Sequence, residues 1–407
     1  MTDVITMGDP RVSTAQRCAL CQRASVVPLI DLPALPLTGL LCPSGRERAA
    51  CEGIDQEFLW CEQCRHGRLK HEVSRELLYG RHYAFRTSMT TTAQDGIRHF
   101  VAFLRELIGP GRFRTILDVG CNDVHLTRLL APLAERCIGI DPVWADQDGK
   151  FIEPNIQVLG AYIEEISDVP FSEMAPDLIV CRHVVEHLSD PRAVLHQLMQ
   201  SAAPDALFLV EIPEFSSLLK RYRFDQIFHE HVQYFTLHSL LRLIDEVGGI
   251  YRGHRENFHH WGSVMVAFQK NTTATRDTVQ ALDTTCLTPQ TIVNRYASFK
   301  QHLRLTRDVL ERESNDLQFG YGASPMLPVL AYHLETDFSY FQAIVDDDRT
   351  KHGKSYANLP LSICSPDDLP WTTSTVMITA PESGRSLLHR SFQKGARQVV
   401  YPLPLVS

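Results

Sequence analysis

In the middle of the chain, two patterns of apolar positions follow one another: a helical repeat, and continuous apolar runs. From Ile97 to Ile108, apolar side chains recur at the spacing of one helix face. The stretches "TILDVG", "CIGID", "DLIVC" and "ALFLVEIP" are continuous apolar runs with the length of buried strands. Helices are predicted between them, over "HLTRLLAPLAERC" and over Pro191–Ala203. Strands that alternate with helices predict an open, mostly parallel, doubly wound α/β sheet.

Two further elements complete this unit. "TLHSLLRLIDEVGG" predicts a helix from Leu237 to Val247, capped by Thr236 and ended by Gly248. "HHWGSVMVAFQK" predicts a last strand, in which Gly262 permits close approach of the backbone to a ligand.

The last third repeats the strand and helix pattern. "IVNRYASFKQHLRLTRDVLER" predicts a helix, "DLQFGYGASPMLPVLAYHL" a strand, a glycine turn and a helix, and "FQAIVDDD", "STVMITA" and "ARQVV" further strands. We therefore predict a second, Rossmann-like α/β domain. The first part differs, because "VVPLIDLPALPLTG" is interrupted by prolines and is expected to be extended and irregular. The expected domains are residues 1–80, 81–272 and 273–407.

Four of the 11 cysteines form two C-x2-C pairs about forty residues apart. These are Cys18, Cys21, Cys61 and Cys64. Four thiolates with this spacing can bind one tetrahedral Zn²⁺ ion, and a closed four-sulfur shell predicts a structural metal in a small N-terminal domain. Disulfides and unligated thiols are the alternatives, and His66 or His71 could replace one ligand.

Charge and hydropathy limit the partners. The 407 residues carry a net charge of −8, so there is no excess of basic charge to neutralise nucleic-acid phosphates. The chain has no run of about 20 apolar residues that could span a bilayer, and no charged and then apolar leader. We expect a cytoplasmic protein that binds neither nucleic acid nor membrane.

The ends of the predicted strands point to a nucleoside ligand. Gly120 lets the backbone approach a ligand, Asp141 ends the second strand where it can accept hydrogen bonds from ribose hydroxyls, and Tyr162 follows the third strand, where it could lie beside a base. The turn "DVGCND" lacks the G-x-G-x-x-G spacing that brings a pyrophosphate to a helix N-terminus. A nucleoside without phosphates is favoured, and a Rossmann-like domain without a cofactor is the alternative.

These residues resemble class I S-adenosylmethionine-dependent methyltransferases. "LDVGCND" is similar to their first motif, "GIDP" to their ribose-binding acid, and "HVVEHLSDP" to their fourth-strand segment. The resemblance implies a set of residues for the S-adenosylmethionine cofactor: Asp118, Gly120, Asn122, Asp141, Pro142, Tyr162 and His183. One position departs from the pattern, because Val124 stands where the family usually has glycine.

The stretch "RFDQIFHEHVQYFT" narrows the resemblance. With the two C-x2-C pairs, it makes residues 18–405 similar to sugar C-methyltransferases of deoxysugar pathways, which combine a zinc domain, a methyltransferase domain and a C-terminal Rossmann-like domain. In that family the glutamate and second histidine of this motif are associated with proton transfer, which implies Glu230 and His231. Phe228 stands where the family usually has tyrosine.

Carbon methylation explains why such residues would be needed. A base must remove a proton beside a carbonyl, and the enolate then attacks the sulfonium methyl group. A histidine side chain ordinarily titrates near neutrality, which makes His231 a candidate base, and Glu230 is its neighbour, so either could be the base. The enolate oxygen needs a donor, for which His187 and His183 are candidates by location.

The substrate is expected to be a small molecule, and we favour a nucleotide-linked ketodeoxysugar. The turn "GYGASP" could present N–H groups to its diphosphate, with Lys351 and Lys354 nearby in sequence. The alternatives are methylation at O or N of another metabolite, and a non-catalytic binding or scaffold protein. The oligomeric state is left open.

Overall fold

A computed structural model describes residues 12–39, 41–43, 53–78, 86–166, 175–260, 262–270, 287–312 and 317–404. No helix in this part of the chain combines the length and the apolar character that a bilayer span requires.

Helices and strands are numbered along the chain. The first region holds β1 (Val12–Thr14), β2 (Val26–Leu35), β3 (Leu41–Pro43), β4 (Ile54–Cys61), β5 (His66–Leu69), β6 (His71–Val73) and α1 (Arg75–Leu78). The middle region holds α2 (Thr91–Ile108), β7 (Phe113–Val119), α3 (His125–Leu130), β8 (Ala134–Ile140), β9 (Phe151–Glu153), β10 (Ile156–Leu159), β11 (Leu178–Arg182), α4 (Pro191–Ser201), β12 (Leu207–Pro213), α5 (Phe215–Lys220), β13 (Gln233–Tyr234), α6 (Leu237–Glu246), β14 (Gly249–Asn257) and β15 (Ser263–Lys270). The last region holds α7 (Pro289–Arg312), β16 (Leu317–Tyr321), α8 (Leu327–Leu334), β17 (Ala343–Val345), β18 (Lys354–Tyr356), β19 (Ile363–Cys364), β20 (Ser374–Ile378), α9 (Gly384–Gln393) and β21 (Gln398–Val400).

The central sheet has eight strands in the order β14-β15-β12-β11-β7-β8-β10-β9. The five strands from β12 to β10 are parallel, whereas β15 runs antiparallel between β12 and β14. All parallel strands therefore end at one edge, called here the carboxyl edge, where ligands of such sheets bind. The expected α/β class and doubly wound sheet are confirmed.

Helices cover both faces of this sheet. On one face α2 buries Ile97, Phe100 and Leu104 against β7 and β11, and Thr90 caps the helix through the N–H of Ala93. On the other face α4 and α6 bury their leucines in a separate core cluster. The predicted cap at Thr236 is confirmed as a reciprocal pair of hydrogen bonds with Ser239.

The predicted helix over "HLTRLLAPLAERC" was too long. The α-helix α3 ends at Leu130, and strand β8 already begins at Ala134. Pro132 lies at the change, because its ring removes a backbone N–H and disfavours helical geometry in the residue before it. Cys137 and the apolar residues after it continue the strand into the core.

The proline-rich stretch near the N-terminus was also wrongly predicted as irregular. It forms β2, the edge strand of a four-stranded antiparallel sheet with the order β13-β5-β4-β2. Its pairing with β4 shifts register after Pro28 and after Leu32. Edge strands and bulges tolerate proline, because they leave backbone N–H groups outside the ladder.

The C-terminal sheet contains five parallel strands in the order β19-β17-β16-β20-β21, which confirms the second α/β unit. Strand β18 of the last region lies outside this sheet and forms a separate two-stranded antiparallel sheet with β3 of the first region. The domain boundaries at residues 80/81 and 272/273 lie outside the described residues and stay predictions.

Candidate active site and zinc site

The four predicted zinc ligands come together. The sulfurs of Cys18, Cys21, Cys61 and Cys64 lie within 4.8 Å of one another, and all four cysteines are free thiols. Cys21 Sγ is 3.8 Å from Cys61 Sγ, which is the edge of a tetrahedron with zinc–sulfur bonds of about 2.3 Å. The alternative ligands have other partners, because His66 bonds Gln233 and His71 bonds Thr14. The cluster fits one structural zinc ion.

Gly120 ends β7 in a conformation that only glycine adopts easily. Its φ is +74°, and a Cβ atom at this position would lie 2.2 Å from Cγ2 of Val184. The segment that follows β11 thus packs directly on the first turn of the sheet. The glycine therefore allows the "HVVEH" residues to lie beside the turn of the first motif.

Val124 stands at the start of α3 with a φ of +57°, which is unusual for a β-branched residue. Its side chain is fully buried in a small cluster with Cys121 and Val158. The departure from glycine is accommodated by this apolar cluster.

Asp141 follows β8 at the carboxyl edge, and both of its carboxylate oxygens are held by the backbone. Oδ2 accepts from the N–H of Asn122 at 2.9 Å, and Oδ1 accepts from the N–H of Val143 at 3.0 Å. Asn122 in turn accepts from the indole of Trp144 through its carbonyl oxygen. Burial raises the pKa of Asp141. These bonds orient the carboxylate between the two strands' ends, and Pro142 begins the short turn beyond it.

Asp118 lies deeper than the other residues of the first motif. It is 1% exposed, and its Oδ2 accepts a hydrogen bond of 2.6 Å from Thr127 on α3. Burial raises its pKa to about 7. This hydrogen bond connects β7, which carries Asp118, with α3.

Tyr162 follows β10 at the carboxyl edge and has a neighbour that the sequence did not indicate. The guanidinium of Arg75 lies over its ring, 5.0 Å from the centroid, and also pairs with Glu164. Arg75 belongs to α1, so the first region of the chain reaches the edge where a base is expected. Arg75 and Tyr162 are far apart in sequence, so the local sequence pattern could not predict their contact.

A charged network underlies the end of β11. Arg182 Nε donates to Glu211 at 2.5 Å, Asn257 donates to the other oxygen of Glu211 at 2.8 Å, and all three side chains are buried. His183 lies between the carboxylates of Glu186 and Glu211, at 3.1 and 3.6 Å. Burial opposes charge on both partners, but Arg182 and His183 lower the pKa of Glu211 to about 2, and the two glutamates raise the pKa of His183.

Breaking this network should destabilise the protein. Replacing Arg182 by Met leaves the Glu211 carboxylate buried without its cation, and we expect a loss of roughly 3–5 kcal/mol in the free energy of unfolding. Urea denaturation followed by circular dichroism measures it. Arg98→Met is the control, because Arg98 and Asp95 form an exposed pair that should be worth under about 1 kcal/mol. Equal losses of unfolding free energy in Arg182→Met and Arg98→Met would contradict a stabilising role for the buried network.

The His-Glu-His segment (residues 229–231) lies against the end of β11. His187 Nδ1 bonds the carbonyl oxygen of Glu230 at 2.6 Å, and the rings of His187 and His231 are 4.9 Å apart. The carboxyl group of Glu230 accepts from the hydroxyl of Thr38, and burial raises its pKa to about 6. Burial also lowers the pKa of His231 well below its usual value, and His187 and His183 lower it further.

Phe228, which replaces the family tyrosine, packs on His231 with 4.2 Å between ring centroids. Tyr234 does not take over its place as a free phenol. The Tyr234 hydroxyl accepts from the N–H of Phe228 and donates to the carbonyl oxygen of Gln226, so it braces the segment from within. The structure therefore brings together Glu230, His231 and His187, with an apolar ring beside them.

The N-terminal sheet holds this segment in place. Strand β13 begins two residues after His231 and pairs with β5 of the zinc-binding region, and the N–H of Leu69 donates to Val232 O at 2.9 Å. His229 Nε2 bonds Leu35 O at 2.9 Å, and Thr38, three residues further along the chain, bonds Glu230. Sequence reasoning missed Thr38 and this pairing, because a two-residue strand has no periodicity to detect.

Gln233 links three parts of the site. Its Oε1 accepts from His66 Nε2 at 2.9 Å, and its Nε2 donates to Leu188 O at 3.0 Å, next to His187. His66 itself follows Cys64 by two residues. One amide therefore connects the cysteine cluster with the loop that carries His187.

The glycine turn of the C-terminal sheet already contacts a carboxylate. Asp346 Oδ2 accepts from the N–H of Ala323 at 2.6 Å and from Lys351 at 3.2 Å. Lys354 lies on β18, close to Asp348. A phosphate at this turn would compete with Asp346.

Comparisons with known proteins match two segments of the chain. Residues 89–248 match a family model described as "Methyltransferase domain", and residues 18–79 match one described as "Putative zinc binding domain". A C-methyltransferase, NovU from Streptomyces niveus, is 26% identical over 239 residues, which cover 58% of this chain and 56% of that protein. The uncharacterized methyltransferase YcgJ of Bacillus subtilis is 22% identical over 107 residues, 23% of this chain and 39% of YcgJ.

The chain thus spans about half the length, or less, of the curated relatives it matches. Among solved structures, the N-methyltransferase NodS from Bradyrhizobium japonicum, bound to S-adenosyl-L-homocysteine, is 14% identical with a TM-score of 0.35 and covers 45% of this chain and 90% of its own. The chain therefore carries a zinc-binding domain followed by a methyltransferase domain, and it is similar to a C-methyltransferase over 58% of its length.

Proposed function

We propose that this protein is an S-adenosylmethionine-dependent C-methyltransferase that methylates a carbon next to a carbonyl group. The observation that carries the proposal is the position of Glu230 and His231, two basic groups enclosed beside His187 at the carboxyl edge of the methyltransferase sheet. The proposed domains are residues 1–80 for zinc, 81–272 for methyl transfer and 273–407 for a Rossmann-like domain that closes the cleft.

The cofactor would be held by the ends of the parallel strands. Asp141, whose carboxylate is oriented by two backbone N–H groups, is proposed to bind the ribose, with Pro142 and Tyr162 beside the base. Gly120 and Asn122 would line the first turn, and His183 the turn after β11. Asp118 acts through Thr127, by holding the first turn on α3.

S-adenosylmethionine supplies an electrophilic methyl group when it is bound. Glu230 or His231 takes the proton from the carbon next to the carbonyl. His187 is constrained by its bond to the carbonyl oxygen of Glu230, since a neutral ring that donates from Nδ1 keeps a lone pair on Nε2. His187 can therefore donate to the developing oxyanion only as an imidazolium.

The substrate that we propose is a nucleotide-linked ketodeoxysugar, in a cytoplasmic pathway of specialised-metabolite or surface-sugar synthesis. The choice of this substrate rests on the family resemblance and on the C-methyltransferase relative. A diphosphate at the "GYGASP" turn would have to displace Asp346 from Ala323 and Lys351.

Phe228 favours a second candidate, methylation at O or N of another metabolite. The ring removes a phenol from the side of His231 and so leaves one fewer donor for an enolate. NMR of the product formed from S-adenosylmethionine with a ¹³C-labelled methyl group decides between the two. A methyl group bonded to carbon supports our proposal, and one bonded to oxygen or nitrogen overturns it.

A further inference from the structure

Glu230 receives a hydrogen bond from a side chain outside the methyltransferase region. Thr38 lies between β2 and β3, is 6% exposed, and its hydroxyl donates to Oε1 of Glu230. Oε2 of the same carboxyl is buried and has no hydrogen-bond partner among the described residues. The two oxygens therefore differ: Oε1 is held by the hydroxyl, and Oε2 keeps its lone pairs for another group.

The C-terminal region holds the chain on both sides of Thr38. Nδ2 of Asn358, in the loop after β18, donates to Leu37 O at 2.9 Å. The N–H of Gly39 donates to Pro325 O at 3.1 Å, at the end of the "GYGASP" turn. The backbone that carries Thr38 is thus bonded to the C-terminal region at the residue before it and at the residue after it.

The conformation of this segment also leaves Thr38 little freedom. Pro36 has a fixed φ and disfavours helical geometry at Leu35, whose carbonyl oxygen bonds His229 at 2.9 Å. Gly39 adopts a φ of +67°, which side chains disfavour. Thr38 is β-branched, so its hydroxyl has few rotamers to choose from. The direction of the hydroxyl is therefore set by the chain around it.

We propose that Thr38 is a positioning residue: the zinc-binding and C-terminal regions together hold its hydroxyl on Oε1 of Glu230, which keeps Oε2 directed at the acceptor substrate. This inference rests on the function proposed above, in which Glu230 is one of the two candidate bases. When the C–H bond beside the carbonyl breaks, its proton goes to Oε2 and its electron pair enters the enolate. A carboxylate that is already oriented needs no rotation before it accepts the proton.

The surroundings of Glu230 make this one hydrogen bond important. The titratable groups that face it are His187, from the turn after β11, and His231 and Tyr234 of its own segment. Burial raises the pKa of Tyr234 and lowers that of His231, so both are neutral near pH 7. Burial raises the pKa of Glu230 to about 6, and the Thr38 hydroxyl opposes this because it bonds the charged form. Without the hydroxyl, the carboxylate should form only at higher pH.

Thr38→Val removes the hydroxyl and keeps the shape of the side chain. In the zinc-loaded full-length protein, kcat at the pH plateau should fall about tenfold. The acid limb of the kcat/KM profile should move to higher pH by about one pH unit. Thr38→Ser keeps the donor and should bring both quantities back close to the wild-type values. Thr306→Val, which removes a buried hydroxyl that donates to His302 O within α7, is the matched control and should behave as the wild type does.

Infrared difference spectra test the contact without turnover. They follow protonation of the Glu230 carboxyl with pH, and its band is identified by its loss in Glu230→Gln. The midpoint should rise by about one pH unit in Thr38→Val and stay unchanged in Thr306→Val. An unchanged midpoint in Thr38→Val, or an equal shift in Thr38→Ser, would overturn the positioning role. A methyl group found on oxygen or nitrogen would overturn the C-methylation, whereas the midpoint reports on Thr38 independently of the reaction.

Asn358→Ala tests the hold from the C-terminal region, and it carries the test if Thr38→Val does not fold. Loss of the amide leaves Leu37 O without its donor and loosens the segment. The acid limb and the infrared midpoint should move in the same direction as in Thr38→Val, by less. Wild-type values of both in the folded Asn358→Ala protein would contradict the proposal.

Discussion

A Cys61→Ser variant is expected to lose methyl transfer as well as zinc. Cys61 ends β4 and Cys64 precedes β5, and β5 pairs with β13, which begins two residues after His231. Loss of the metal loosens the turn at Cys64, which His66 and Gln233 connect to the loop of His187. A displacement of about 1 Å at reacting groups can cost on the order of 100-fold in rate.

The measurement compares kcat, the affinity for S-adenosylmethionine and the zinc content of the variant with those of the wild type. We expect kcat to fall by about 100-fold, with cofactor affinity nearly unchanged because Asp141 and Gly120 belong to the central sheet. Cys364→Ser, a free half-buried thiol of the C-terminal sheet, is the control. The sequence alone suggests that losing zinc would affect solubility more than chemistry. A zinc-free Cys61→Ser protein with normal kcat would support that view and contradict ours.

Replacing Glu230 by Gln should remove most of the turnover. The amide keeps the shape and can still accept the hydrogen bond from Thr38, but it cannot take a proton from carbon. General-base catalysis contributes typically about 10²–10⁴-fold, so kcat should fall by that factor. Calorimetry should find the affinity for S-adenosylmethionine unchanged, because the cofactor residues lie on other strands.

Glu214→Gln is a matched control for this variant. Glu214 is another enclosed carboxyl, and it accepts from the N–H groups of Ser216 and Ser217 at the start of α5. Both carboxylate oxygens of Glu214 accept from backbone N–H groups, so the amide keeps one side of this cap and loses the other, which should cost about 1 kcal/mol in the free energy of unfolding. The kcat of the folded variant should stay within about threefold of the wild type. A Glu230→Gln protein with undiminished kcat would show that Glu230 is not the base.

Much of this architecture could be predicted because local patterns determine it. The apolar runs of β7, β8, β11 and β12 are buried strands, and α2 and α6 carry their own caps. The two C-x2-C pairs also suffice to predict the cysteine cluster.

The features that could not be predicted from the sequence are contacts between residues far apart along the chain. Thr38 reaches Glu230 across 192 positions, and Arg75 covers Tyr162 from a separate region. Strand β2 was missed because its prolines signal a loop, while its position at a sheet edge permits them. Such contacts depend on how the regions pack and leave no period in the sequence.

The most direct test of the central claim is the carbon to which the labelled methyl group is attached. With ¹³C-methyl S-adenosylmethionine and a nucleotide-linked ketodeoxysugar, a proton–carbon correlation spectrum should connect the new methyl protons with the carbonyl carbon, through the carbon that lost its hydrogen. A labelled methyl group that correlates only through oxygen or nitrogen, or an unmethylated sugar in the presence of zinc-loaded protein and cofactor, would contradict the account.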